Sequence, residues 1–220
     1  MGHIRATRLG FCAAVAAVGL VAGATPALAT NPAGVAALGS AQFVKGGVTT
    51  SVPTLAQCAV DGQTTASTPG VTASGVRWGT ASSTCTTTVV DPENDVTTTK
   101  SEALGGAFEL SALVSAGGPR VKLTSYRVTC NATQGGTSAS WSFAGMTGIT
   151  GLPNPMPRGY VKNLTKTGGT VLATATFNEI TLPEPNDGSI ALTVMRITFL
   201  PASGINGEVV IGRTACSPTP

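Results

Sequence analysis

Beyond residue 30 the apolar positions recur with a period of two far more often than with the 3.6-residue period of a helix, as half-buried strands require. Trp141 and Phe143 alternate with Ser140 and Ser142, and Val209 and Ile211 with Val210 and Gly212. Thr, Val and Ile dominate, and branching at Cβ favours extended backbone. Clusters of Gly, Pro, Asn and Asp punctuate these runs at short intervals. The pattern predicts strands over residues 41–45, 48–55, 70–78, 84–90, 96–102, 107–114, 120–130, 138–143, 159–164, 171–182, 189–200 and 207–216. The best helical stripe, residues 32–38, is short and interrupted by Gly34. Residues 30–39 therefore read as a mobile lead-in, and residues 217–220 as a frayed end.

Three local features refine this pattern. Val121 and Leu123 share one parity, whereas Tyr126, Val128 and Cys130 share the other, so a bulge is expected between Thr124 and Ser125. Residues 190–200 are nearly continuously apolar, broken by Thr and Arg196, and read as a central strand covered on both faces. Asn186-Asp187-Gly188 lies between two long strands, where Asp-Gly predicts a tight turn. Many short strands with such turns make an all-β chain, an antiparallel β-sandwich.

The first 29 residues follow different rules. Arg5 and Arg8 precede an apolar run of about 15 residues, which ends in Ala27-Leu28-Ala29. These are the parts of a secretory signal peptide, with cleavage expected between Ala29 and Thr30. Cys12 sits at the front of the apolar run, where a lipidated cysteine would have to close it. No later stretch approaches the roughly 20 apolar residues of a membrane span, so no transmembrane anchor is expected in the mature chain, residues 30–220. Leu200-Pro201-Ala202-Ser203-Gly204 resembles a wall-anchoring signal, but Glu208 and Arg213 follow it rather than an apolar span. It reads as a loop between strands.

Export changes how the cysteines are read. Removing Cys12 leaves Cys58, Cys85, Cys130 and Cys216, an even set that reads as two disulfides. Of three possible pairings we favour Cys58–Cys85 and Cys130–Cys216. In the chain-entropy model the two loops would contribute roughly 3.5 and 4.6 kcal/mol. A zinc site is disfavoured, because no two cysteines lie within a few residues of each other.

Composition narrows the chemistry. Of the 220 residues 34 are Thr and 28 Gly, and only 10% are charged. The single histidine, His3, lies in the signal, so the mature chain lacks the base of Ser-His-Asp and Cys-His catalysis. The net charge of +3 falls to +1 beyond the signal (11 basic minus 10 acidic residues), and the cations are scattered. Nucleic acid is not an expected partner. The expected partners are cell-wall polysaccharide or surface proteins.

The last third carries a resemblance. Phe177-Asn178-Glu179-Ile180, then Asn186 to Val194, then Gly207-Glu208-Val209-Val210-Ile211-Gly212 to Cys216 are similar to the end of choice-of-anchor family P. Residues 108–113, Cys130 and Phe143-Ala144-Gly145 resemble that family's middle, so the likeness spans about residues 107–216. It implies an exported, all-β, surface-associated domain of unassigned activity, and it supplies no catalytic residues.

Candidate chemistry is sparse. Asp91, Glu93, Asp95 and Glu102 fall at positions 1, 3, 5 and 12 of a calcium-loop spacing, but Val96 stands where that loop needs Gly. A hairpin tip is the preferred reading. Glu109 and Glu179 could act as an acid and base on a glycoside if the fold brought them together. None of the five mature lysines sits in a Ser-x-x-Lys dyad. Trp78, flanked by Gly75, Arg77 and Gly79, is the preferred glycan-contact candidate, and Trp141 reads as core. Asn131 and Asn163 match the glycosylation acceptor. The expectation is an exported, non-enzymatic β-sandwich at the cell surface or in the medium, with no catalytic residue, metal or cofactor. A carbohydrate- or wall-binding module using Trp78 is the alternative, and a carboxylate-based hydrolase a third reading.

Overall fold

A computed structural model describes residues 31–219. The signal-peptide reading, with His3, Cys12 and the Ala29–Thr30 cleavage point, lies outside the described residues. Sixteen strands form antiparallel sheets: β1 Gly34–Lys45, β2 Val48–Leu55, β3 Cys58–Ala59, β4 Thr65–Thr68, β5 Val71–Ala73, β6 Val76–Trp78, β7 Ala81–Asp91 and β8 Val96–Gly105 come first. They are followed by β9 Phe108–Leu110, β10 Val121–Leu123, β11 Ser125–Thr133, β12 Gly136–Ala144, β13 Tyr160–Thr165, β14 Val171–Thr181, β15 Ile190–Phe199 and β16 Ile205–Cys216. Among the described residues no helix is long and apolar enough to cross a membrane.

The seven-stranded sheet runs β13-β14-β15-β16-β1-β2, with β3 also on β1. A five-stranded sheet, β12-β11-β8-β7-β4, packs across it, β12 over β15, β11 over β16 and β8 over β1. The third sheet, β10-β9-β6-β5, continues the strand paths of the second. β4 leads to β5, β6 to β7, β8 to β9 and β10 to β11, each after no more than two residues. The wall opposite the seven-stranded sheet is thus one surface folded along a line that crosses four strand paths. Gly70, Gly79 and Gly106 lie on that line, where a Cβ would meet the neighbouring backbone at 2.8, 3.2 and 2.5 Å. The main apolar core runs between the walls, filled by Phe43, Phe108, Phe177, Leu38, Leu172 and Met195 among others, and a smaller cluster surrounds Cys130, Ala132 and Cys216.

Both disulfides join one wall to the other. Cys58 on β3 pairs with Cys85 on β7, and Cys130 on β11 with Cys216 on β16. The favoured pairing holds because each sulfur points inward from its own sheet and meets its partner across the core, where all four are buried.

Several expectations change. Residues 34–38 belong to β1, an interior strand of the largest sheet, so the mobile lead-in and the helical stripe are both corrected. The apolar residues of this segment are packed by tertiary contacts that its local pattern does not reveal. The parity slip at Thr124 is not a bulge within one strand: the chain leaves the third sheet there and enters the second. Residues 70–78 split into the β5–β6 hairpin at Gly75, whose φ is +83°. Asp187-Gly188 lies in an eight-residue connection between β14 and β15 rather than a tight turn. In that connection the Asn186 and Asp187 carboxamide and carboxylate oxygens accept from the Gly188 and Ser189 amides. The segment 200–204 forms a short 3-10 turn between β15 and β16, a loop between strands as expected.

Candidate binding face

The outer face of the seven-stranded sheet departs from simple alternation on four neighbouring strands at one level. Side chains at Ala37, Arg213, Thr193 and Glu179 form one row across β1, β16, β15 and β14. The next outward row is Ser40, Val210, Arg196 and Thr176. Members of the two rows are three residues apart on every strand, not two. The residues between them all turn inward, Leu38 and Val194 into the core and Asn178 toward the opposite wall. Asn178 and Gly212 make the turn with φ of +53° and +63°, a region glycine and asparagine tolerate. Ladder pairing lapses at Leu38, Val194, Gly212 and Asn178, then resumes in the same register.

The result is a crease whose outer floor is backbone, crossed between β15 and β14 by the Arg196–Glu179 ion pair. At about 3.3 Å per residue its two rows stand up to roughly 10 Å apart, against about 7 Å on a regular strand. Two recesses of about 430 and 420 Å³ lie along it, and Arg196 and Arg213 line both. Arg196 donates from Nε to Glu179 at 2.8 Å and from Nη1 to Glu208 at 2.7 Å. Burial opposes its charge, but Glu208 and Glu179 outweigh that and hold its pKa above the ordinary value. Arg213 is exposed and makes no ion pair with any described residue. Arg158, at the far end, donates to the Ile180 carbonyl.

The inner side of the crease is plugged by one residue. The Tyr126 hydroxyl donates to the Leu38 carbonyl at 2.9 Å, taking the acceptor that lapsed ladder pairing left free. Its ring lies against Gly105 and reaches Gly212. Burial pushes the Tyr126 phenol well above its usual range.

The sequence-derived candidates fall elsewhere. Trp78 is 3% exposed, tilted against Phe108 with ring centroids 5.3 Å apart. Its indole N–H lies beside the Tyr126 hydroxyl, short of a formed hydrogen bond. The glycan contact expected at Trp78 is therefore corrected: β6 pairs with β9, and its inward parity carries the indole into the core. Of the glycines around it, Gly75 makes the β5–β6 turn and Gly79 lies on the sheet's fold line, so neither frames an open platform. Trp141 is half-buried, stacked on Phe143, and donates to Asn178 Oδ1 at 2.9 Å.

Glu109 and Glu179 are on different sheets. Glu109 sits amid Arg120, Lys122 and Arg77 on the third sheet's outer face, and its hydrogen bond from Arg120 and the nearby Lys122 hold its carboxyl below the usual range. Glu102 meets Lys100 at 3.0 Å and also Arg127. Asp91 caps its own hairpin tip, accepting from the Glu93 and Asn94 amides and from the Asn94 side chain. Among the described residues no group of three or more acidic, His or Cys side chains is placed to hold a metal ion. Asn131 and Asn163 are exposed on β11 and β13.

Alternation alone did not point to Arg196, Arg213 or the crease. The sequence does hold a signal: Thr193 with Arg196, and Val210 with Arg213, are polar or outward positions spaced by three within strands, with a residue tolerant of positive φ between on β14 and β16. No family model, curated protein or solved structure matches this chain.

Proposed function

We propose that the chain is an exported, non-enzymatic β-sandwich module, acting at the cell surface or in the medium by holding a partner such as cell-wall polysaccharide. The observation that carries this reading is the pair of disulfides, each bridging the two walls. Such bonds persist in oxidising compartments outside the cytoplasm. The basic, apolar, small-x-small start of the chain and the resemblance to choice-of-anchor family P support the same compartment. A binding role is favoured over catalysis because Glu102, Glu109 and Glu179 are each committed to cations on open sheet faces.

The test is fractionation of expressing bacteria, with N-terminal sequencing and thiol counting on the recovered chain. The expected product begins at Thr30 and has no free thiol. A cytoplasmic product beginning at Met1 with reduced cysteines would sink the reading.

A further inference from the structure

The crease is a site without an assigned ligand, and its chemistry is specific enough to name one. It runs across the strands, so an occupant cannot be a peptide added to a sheet edge, which would run along them. Its walls offer the half-exposed hydroxyls of Ser40 and Thr176, and the Arg196–Glu179 ion pair crosses it from one row to the other, so an occupant would lie over that pair with its groups in the two recesses. No aromatic side chain lines either recess, so stacking on neutral sugar faces is not what this surface provides.

Charge decides the rest. Arg213 presents an exposed guanidinium, unpaired among the described residues, where the two recesses meet, a fork matched to a carboxylate. Glu179 and Glu208 each engage Arg196 through one oxygen, leaving a second oxygen able to accept from sugar hydroxyls. The same two carboxylates repel a dense polyanion bearing a charge at every short step. We propose that the crease binds a segment of acidic polysaccharide in which uronic-acid residues are spaced by neutral sugars, with one carboxylate seated on Arg213. This rests on the binding reading above, but its test does not depend on the compartment.

The experiment is titration calorimetry on the oxidised protein as recovered from expressing cells. The probes are hyaluronate oligosaccharides, the same oligosaccharides with reduced carboxyl groups, and heparin as the dense polyanion. Hyaluronate should bind, and carboxyl reduction should weaken it. Arg213→Ala should weaken it about tenfold or more, the scale of one lost charged hydrogen-bond pair, and Arg213→Lys should restore part of the loss. Arg77→Ala, in the three-cation cluster of the third sheet, should change nothing. Absence of hyaluronate binding overturns the proposal. So does binding insensitive to Arg213→Ala, equal loss with Arg77→Ala, or tighter binding of heparin. A failure here leaves a disulfide-bonded product beginning at Thr30 untouched as support for export, whereas a reduced product beginning at Met1 sinks export alone.

Discussion

Two lines cross the strands of this molecule, one in each wall, and they behave differently. In the seven-stranded sheet the line at Leu38, Gly212, Val194 and Asn178 reverses side-chain parity, yet pairing resumes in register on both sides. In the opposite wall the line through Gly70, Gly79, Gly106 and Thr124 ends the pairing, and the strands beyond it form a separate sheet. The first opens a trough on the solvent face, and the second bends the wall around the core. Tyr126 ties them together: its ring packs on Gly105 at the second line, and its hydroxyl donates to Leu38 at the first. A reversal absorbed by one inward residue per strand keeps the ladder, whereas a break of one or two residues per strand redirects it.

The largest effect is expected where Tyr126 meets Gly105. A Cβ there would lie 2.1 Å from the Tyr126 ring. Gly105→Ala should lower unfolding stability by about 3 kcal/mol, as overpacking does, read as a drop in the urea midpoint. Gly212→Ala breaks the other line, combining a φ of +63° with a contact of 2.7 Å to the Val194 side chain. About 2 kcal/mol should be lost, and hyaluronate affinity should fall with it, a loss Gly105→Ala should not produce at temperatures where the protein remains folded. Equal effects of both changes on affinity would mean that the lines are not independent.

Tyr126→Phe sharpens the comparison by cutting the link and leaving the packing. The Leu38 carbonyl loses its side-chain donor, and about 1–2 kcal/mol should go, measured by denaturation of the otherwise intact sandwich. A null result would show that water reaches that carbonyl.

Acid should give the smallest effect, confined to the folded wall. Burial would raise the Glu102 carboxyl, but its hydrogen bonds from Arg127 and Lys100 outweigh that and lower it. A carboxyl depressed in the folded state contributes stability that is fully present above its unfolded pKa and lost as pH falls through the folded value. Stability should therefore decline below about pH 4, and Glu102→Gln should flatten that decline. An acid limb unchanged in the variant would assign it to other carboxylates.

Much of the fold was legible because strand patterning is local. Alternation at Trp141 and Phe143 or at Val209 and Ile211 needs only neighbours in sequence, and the even cysteine count favoured two disulfides, whose pairing and place between the walls the fold decided. The crease was not legible in the same way, because Thr193 and Arg196 look like ordinary positions until β14, β16 and β1 reverse beside them. Trp78 misled for the same reason: the flanking glycines that suggest an open surface in sequence are, in the folded chain, a hairpin turn at Gly75 and a close backbone approach at Gly79.

By itself, then, the sequence determined an all-β chain, four cysteines suited to oxidation and the absence of histidine beyond His3, since residue type and period two carry that information along the chain. Only tertiary structure decided which residues face the trough, why Arg213 stands there without an acid among the described residues, and what fills the space beneath Leu38. Those outcomes depend on the alignment of neighbouring strands and the packing of opposed walls, and both are set by contacts between residues far apart in sequence.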